Sequence, residues 1–195
     1  MERRIKYSRL KQGASFEDFD LKTKRSITKG ELREMMSLSW LKDGRPLVLI
    51  GQTGVGKTYL AQACGLKACQ DGKTVLFLSM TRWLDEHAGA RETGAILKFR
   101  DKITRPDLLI LDDFGMRKLT ALEAEDFREV LEERSYGQST LVTTQLPFDH
   151  WSEVIPDPVL SEAIVDRLEQ PALVYKITGE SYRKTKAQKL ASEEK

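Results

Sequence analysis

Five short apolar runs stand out along a chain that is otherwise rich in charge. They are PLVLIG at 46–51, KTVLFLSM at 73–80, DLLILDD at 107–113, STLVTTQ at 139–145 and ALVYKIT at 172–178. Val, Ile, Leu and Thr dominate them, residue types whose shapes fit a pleated surface. The first three lack the apolar–polar alternation of a half-exposed strand. Nearly continuous apolar strands are buried on both faces, which points to a parallel sheet covered by helices.

The stretches between these runs read as helices. Residues 59–71 contain no proline and stop at Gly72. TALEAEDFREVLEE opens with Thr120 and Glu123 at capping-box spacing and puts Phe127, Val130 and Leu131 on one face. DPVLSEAIVDRLEQP aligns Leu160, Ala163, Ile164 and Leu168 and is ended by Pro171. TKGELREMMSLSWLKDG predicts one more helix ahead of the first strand. Strand and helix alternate, so the expected class is α/β, with a parallel five-stranded sheet flanked by helices. The expected division is a basic N-terminal segment and linker at 1–27, the folded domain at 28–183 and a polar tail at 184–195.

Composition changes this picture little. In 195 residues, 40% are hydrophobic and 32% charged, enough for one core beneath a charged surface. A net charge of +2 does not by itself call for nucleic acid. Cys64 and Cys69 fit neither a paired zinc spacing nor a CxxC redox motif, and read as small apolar helix residues. His87 and His150 are the only histidines, and neither sits in a zinc-ligand pattern. No apolar run approaches the roughly 18 residues of a membrane span, and no signal peptide opens the chain. The expectation is a cytoplasmic protein with no membrane partner.

Local chemistry changes it a great deal. Gly51, Gln52, Thr53, Gly54, Val55, Gly56, Lys57 and Thr58 match GxxxxGK[ST], between an apolar strand and a helix that continues with Tyr59. Glycines let the backbone curl so that several N–H groups face a phosphate, and the helix adds its positive N-terminus. Lys57 is expected to reach the outer phosphates of ATP, and the Thr58 hydroxyl to ligate magnesium. The third strand ends in Asp112 and Asp113. Asp112 is the candidate metal ligand and Asp113 the candidate base for the attacking water. The run at 73–80 is read as an extra strand between the phosphate-loop strand and the acidic strand. That arrangement fits the additional-strand P-loop ATPases better than compact nucleotide kinases. At the tip of the fourth strand, Gln145 is the candidate for positioning water or touching the γ-phosphate, with Thr144 second. Arg167 borders the apolar stripe of the last helix. It either lies along the core edge or acts as a finger on a neighbouring subunit's phosphate.

Positive charge clusters in KFRDKITR, with Lys98, Arg100, Lys102 and Arg105, and again in RRIKYSRLK and RKTKAQK near the two termini. Such patches can track a DNA backbone, or be solvated faces neutralised by neighbouring acids. No base-reading module is visible, so little sequence preference is expected.

Taken together, GQTGVGKTYLAQA, RPDLLILDDFGMRKLT, VTTQLPF, DPVLSEAIVDRL and GESYR resemble the IstB-type ATPases, AAA+ helpers of transposases that are similar to DnaC-type helicase loaders. The resemblance covers residues 16–183, and LDDFG and GESYR are its most specific parts. It implies an ATP- and Mg2+-dependent ATPase that forms a homo-oligomer and binds DNA, with a transposase or a helicase as partner. It makes residues 51–58 the Walker A loop and Asp112 and Asp113 the Walker B acids. Arg167 falls at the arginine-finger position, and Arg183 becomes a second sensor. FEDFD at 16–20 becomes the linker near the adenine. The family has asparagine after TS at the fourth strand tip, where this chain has Gln145 after TT. Residues 1–45 are few for the family's N-terminal helical domain, which counts against transposase docking by this chain. Residues 179–195 are too few for a C-terminal helical lid, in keeping with a lidless branch. Three other readings share these residues: a helicase loader, a small P-loop kinase, and a module that uses ATP only to switch assembly.

Overall fold

A computed structural model describes residues 2–11, 13–21 and 25–182. Each apolar run contains a strand: β1 (Leu47–Gly51), β2 (Val75–Ser79), β3 (Leu108–Phe114), β4 (Ser139–Thr144) and β5 (Leu173–Ile177). All pair in parallel, in the order β2-β3-β4-β1-β5. Side chains alternate between two cores. Leu47, Leu49, Leu108, Ile110 and Leu141 enter one, while Val48, Ile50, Leu109, Leu111 and Val142 enter the other. Both faces are covered, which is why these strands show no polar alternation. Each such side chain contributes about 1.5–3 kcal/mol by leaving water.

Eight α-helices close the faces among the described residues. The first core is covered by α1 (Glu2–Ser8), α2 (Lys29–Ser37), α3 (Ser39–Lys42) and α4 (Lys57–Gln70). The second is covered by α5 (Met80–Glu92), α6 (Ile96–Thr104), α7 (Ala121–Arg134), α8 (Pro158–Glu169) and a 3-10 turn at Phe148–Glu153. The capping box of α7 forms as its spacing predicts: Glu123 N–H donates to Thr120 Oγ1 at 3.2 Å and Thr120 N–H to Glu123 Oε2 at 2.8 Å. Leu10, Ala14, Phe16, Phe19 and Ile27, all from the first 27 residues, are buried in the first core. Cys64 is buried too, which pushes its thiol up to about 12 and leaves it a packing residue. No helix among the described residues is long and apolar enough to cross a membrane.

Two expectations need correction. The single helix expected at 28–44 is two helices, broken at Leu38, whose backbone is left-handed with φ 53°. At the break the Met35 carbonyl accepts from the Leu38 N–H at 3.3 Å and from the indole N–H of buried Trp40 at 3.2 Å. The strand lying between β1 and β3 is β4, not the run at 73–80, which forms β2 beyond β3. Sequence order placed the wrong strand there because parallel crossovers skip positions in the sheet.

Arg134 locks the second layer to the sheet. It is 1% exposed, and its guanidinium donates to the carbonyls of Ile103, Thr104, Pro106 and Ser139 and to Thr140 Oγ1. Ile103 and Thr104 are in the last turn of α6, whose open carbonyls a cation suits. Burial draws this arginine down to about 9, against the pull of Asp107 and Glu133. The candidate second sensor Arg183, the basic run 183–189 and the tail 184–195 lie outside the described residues.

Candidate nucleotide-binding site

The loop after β1 is shaped by close approach and by backbone sign. A Cβ on Gly51 would collide with the Ile177 carbonyl oxygen of the neighbouring strand. Gly56 has φ 106°, and a Cβ there would stand 2.9 Å from Phe19 Cε2. Only glycine permits both. Gly56 is also the N-cap of α4 and provides no side-chain cap. The first N–H groups of α4 are thus left to a ligand, with the helix dipole favouring an anion. Lys57 is 5% exposed, and its Nζ donates to Gly51 O at 2.7 Å and Gln52 O at 3.0 Å, holding the loop curled.

The acids stand across from this loop. Asp112 is buried and accepts from Thr143 Oγ1 at 2.7 Å. Burial pushes its carboxyl above the usual range and the Asp113 charge adds to that, while Thr143, Thr58 and Lys57 pull it down. A cation shared by Thr58 and Asp112 would relieve that strain. The ladder between β3 and β4 slips between Leu111 and Phe114, and Asp113 sits in the slip with φ 59°. The left-handed backbone is tolerated by aspartate and leaves Asp113 exposed on the cavity wall. Thr143 secures both acids, because its Oγ1 also accepts from Asp113 N–H at 3.0 Å. At this strand tip the sequence points to Gln145 and Thr144, whereas the residue that braces the acids is Thr143. Strand parity was the available signal, since position 143 faces the same layer as Leu141, two residues earlier on β4, and as its register partner Leu49 on β1.

Loop, acids and linker enclose a cavity of about 670 Å³. Thr53, Gly54, Gly56, Lys57, Thr58, Tyr59, Gln62, Asp113, Met116 and Gln145 line it, joined by Lys11, Asp18, Phe19, Asp20, Arg25 and Tyr182. Gln145 is exposed, with its amide 3.6 Å from Met116 Sδ. Thr144 is tied up instead: its hydroxyl donates to Phe114 O at 2.9 Å and accepts from Leu146 N–H at 3.0 Å. Phe19 of the FEDFD segment lines the cavity, whereas Phe16 is buried in the core.

Other candidates lie elsewhere. Arg167 is not on the cavity wall; it donates to Ala163 O at 2.9 Å and pairs with Glu132 at 3.2 Å. In the predicted basic cluster, Arg100 pairs with Asp126 and Glu129, Lys102 with Glu86 at 2.6 Å and Arg105 with Asp101 at 2.8 Å. Lys98 is exposed and makes none of the ion pairs found among the described residues.

Comparison with known proteins agrees with this geometry. Residues 1–190 match the family described as IstB-like ATP binding protein. An insertion-sequence ATP-binding protein of Sinorhizobium fredii is 34% identical over 186 residues, covering 95% of this chain and 76% of that protein. The ATP-binding protein of insertion sequence IS21 from Pseudomonas aeruginosa is 33% identical over 183 residues, covering 94% and 69%. Among solved structures, the DnaC helicase loader superposes with a TM-score of 0.72 at 20% identity, covering 85% of this chain and 97% of that one. The replication initiator DnaA, bound to AMPPCP and single-stranded DNA, also gives 0.72 at 19% identity. The match covers 94% of this chain but spans only 56% of DnaA. These two likenesses establish a P-loop AAA+ fold. With family match, relatives and phosphate loop in agreement, the chain belongs to the IstB-like ATP-binding proteins.

Proposed function

We propose that the chain is a magnesium-dependent ATPase that assembles on DNA and assists a transposase. One observation carries the hydrolytic reading: Asp113 is held on the cavity wall by Thr143, beside the uncapped start of α4 and next to buried Asp112. The first turn of α4 and Lys57 bind and orient the phosphates. Thr58 and Asp112 would hold magnesium, which supplies a Lewis-acid clamp on phosphate oxygens. Asp113 accepts the proton of the attacking water, and Gln145 orients that water. The arginine of a neighbouring copy, Arg167, stabilises the transferring phosphate, since its place outside its own cavity leaves it available only in trans.

The partner reading follows from the relatives, which are proteins of insertion sequences. The alternative partner is a replicative helicase, which the likeness to a helicase loader favours. The test is phosphate release with ATP and Mg2+, with and without duplex DNA, alongside mass measurement of the assembly. Release that depends on Lys57 and assembly that depends on ATP and DNA are expected. Phosphate transfer to an added small acceptor would make the chain a kinase. Tight ATP binding without release would make it an assembly switch. Capture by purified helicase but not by transposase would select the loader.

A further inference from the structure

No sequence motif points to Arg25, yet it stands at the junction of every segment that closes the cavity. Its guanidinium donates to Val55 O at 3.1 Å and to the Asp20 carbonyl, and its Cζ lies 4.1 Å from the centre of the Phe19 ring. The centre of the Tyr182 ring is 5.6 Å from the same carbon. The chain around it is pinned as well. Arg25 bridges antiparallel to Gly179, Ser26 N–H donates to Thr178 O at 3.0 Å, and Tyr182 N–H donates to Gly54 O at 3.0 Å. The N-terminal linker and the segment after β5 thus meet on the phosphate loop, with Arg25 between them.

Position and chemistry identify what this cation serves. A Cβ on Gly56 would stand 3.0 Å from Arg25 Nη1, so the guanidinium lies against the residue that caps α4. That is the end of the helix where phosphates are expected. Its known hydrogen bonds use backbone carbonyls, and Nε is buried with no hydrogen-bond partner among the described residues. Burial lowers its pKa, against the pull of Asp20 and Tyr182. A guanidinium that has lost water in this way gains most from a nearby anion, and its fork suits phosphate oxygens. The Phe19 stack fixes its plane, so little side-chain freedom is left to lose on binding.

We propose that Arg25 is a phosphate-binding residue of the ATP site, supplied from the N-terminal linker. The inference rests on the nucleotide-site reading above, and its test separates the two. Dissociation constants for ATP and for adenosine are measured by calorimetry and competition in the wild type, Arg25→Gln, Arg25→Lys and Lys57→Ala. Removing one charged hydrogen-bond donor set should weaken ATP about tenfold in Arg25→Gln, with adenosine within twofold and the salt dependence of ATP binding reduced. Arg25→Lys should recover part of the loss. ATP affinity equal to wild type in Arg25→Gln overturns the inference alone. Equal losses for ATP and adenosine also overturn it, pointing to a base-side wall when melting is unchanged and to a structural strut when the melting temperature falls. A wild type that binds no ATP, or Lys57→Ala that binds as well as wild type, overturns the site reading itself.

Discussion

At the tips of β1, β3 and β4, polar side chains bond to nearby backbone or to one another at short range. Lys57 holds two loop carbonyls, and Thr143 serves both Asp112 and Asp113. On the flank built by α5 to α8, charged side chains form ion pairs instead, both along and between helices. Arg167 and Arg128 share Glu132, Arg100 bridges Asp126 and Glu129, and Glu86 takes Arg9, Arg82 and Lys102. The two regions differ in what a contact costs to exchange. A buried polar group without its partner costs about 1–3 kcal/mol, so the cavity holds its shape. A partly exposed ion pair is worth about 0–1 kcal/mol, so a flank cation can leave its carboxylate for a phosphate at little expense. The cavity therefore keeps its shape, while the flank holds pairs that cost little to exchange.

The largest test of that contrast is Arg167→Ala. If the flank completes a neighbour's cavity, ATP affinity of the isolated subunit should stay within about twofold, because Lys57 and the loop are intact. Hydrolysis in the assembled state should fall by up to about a thousandfold. Mixing with a subunit that carries Arg167 but lacks Asp113 should restore part of the rate, read as phosphate release from assemblies of verified composition. A normal rate, or no rescue in mixed assemblies, would leave Arg167 as a core-edge residue held by Glu132.

Asp113→Asn probes the cavity itself and should cost about a hundredfold in hydrolysis, the range of a lost general base. ATP binding should persist, since Asp113 is exposed and its N–H bond to Thr143 survives the change. If the rate were unaltered in a single-turnover measurement, the base would have to be sought elsewhere.

The contrast also explains what the sequence made legible. The five strands and the loop were readable because each is a local pattern, an apolar run or glycines at fixed spacing. Asp112 and Asp113 were readable because they end such a run. Thr143 was not, since a threonine inside a β-rich strand looks like any other, and its value appears only when β4 is placed between β1 and β3. Arg25 escaped for the same reason, because its partners Phe19, Val55 and Tyr182 are spread from one end of the described chain to the other. The basic cluster was visible as charge, and Asp101 pairs with Arg105 at helical spacing, but the acids that engage Arg100 and Lys102 lie on α7 and α5 and meet them only in three dimensions.

If the flank faces DNA, its members should not contribute equally. Among the described residues Lys98 has no carboxylate partner to leave, so Lys98→Ala should lower the slope of log affinity against log salt by about 0.9. Arg100→Ala should change that slope by much less, because Asp126 and Glu129 already engage this side chain. Equal effects in a salt-titrated duplex-binding assay would mean that the pairs seen on the flank do not restrain its arginines.

The smallest effect is expected at Glu86, and it carries a sign in both stability and binding. Burial alone would raise this carboxyl, but hydrogen bonds from Lys102, Arg9 and Arg82 outweigh it and hold the group at about 2, down from 4.5. A lowered folded pKa means the stabilisation is complete above pH 4.5. It is lost as pH falls from there toward 2, because the unfolded chain takes up the proton first. The site is partly exposed and screened, so Glu86→Gln should cost no more than about 1 kcal/mol at pH 7. Urea unfolding of the two proteins should show that gap closing below pH 4.5. Binding should move the other way. With the carboxylate gone, Arg9, Arg82 and Lys102 no longer have a competing anion, and duplex affinity at low salt should rise roughly two- to fivefold. A fall in affinity would show that Glu86 arranges these three cations for DNA rather than withholding them.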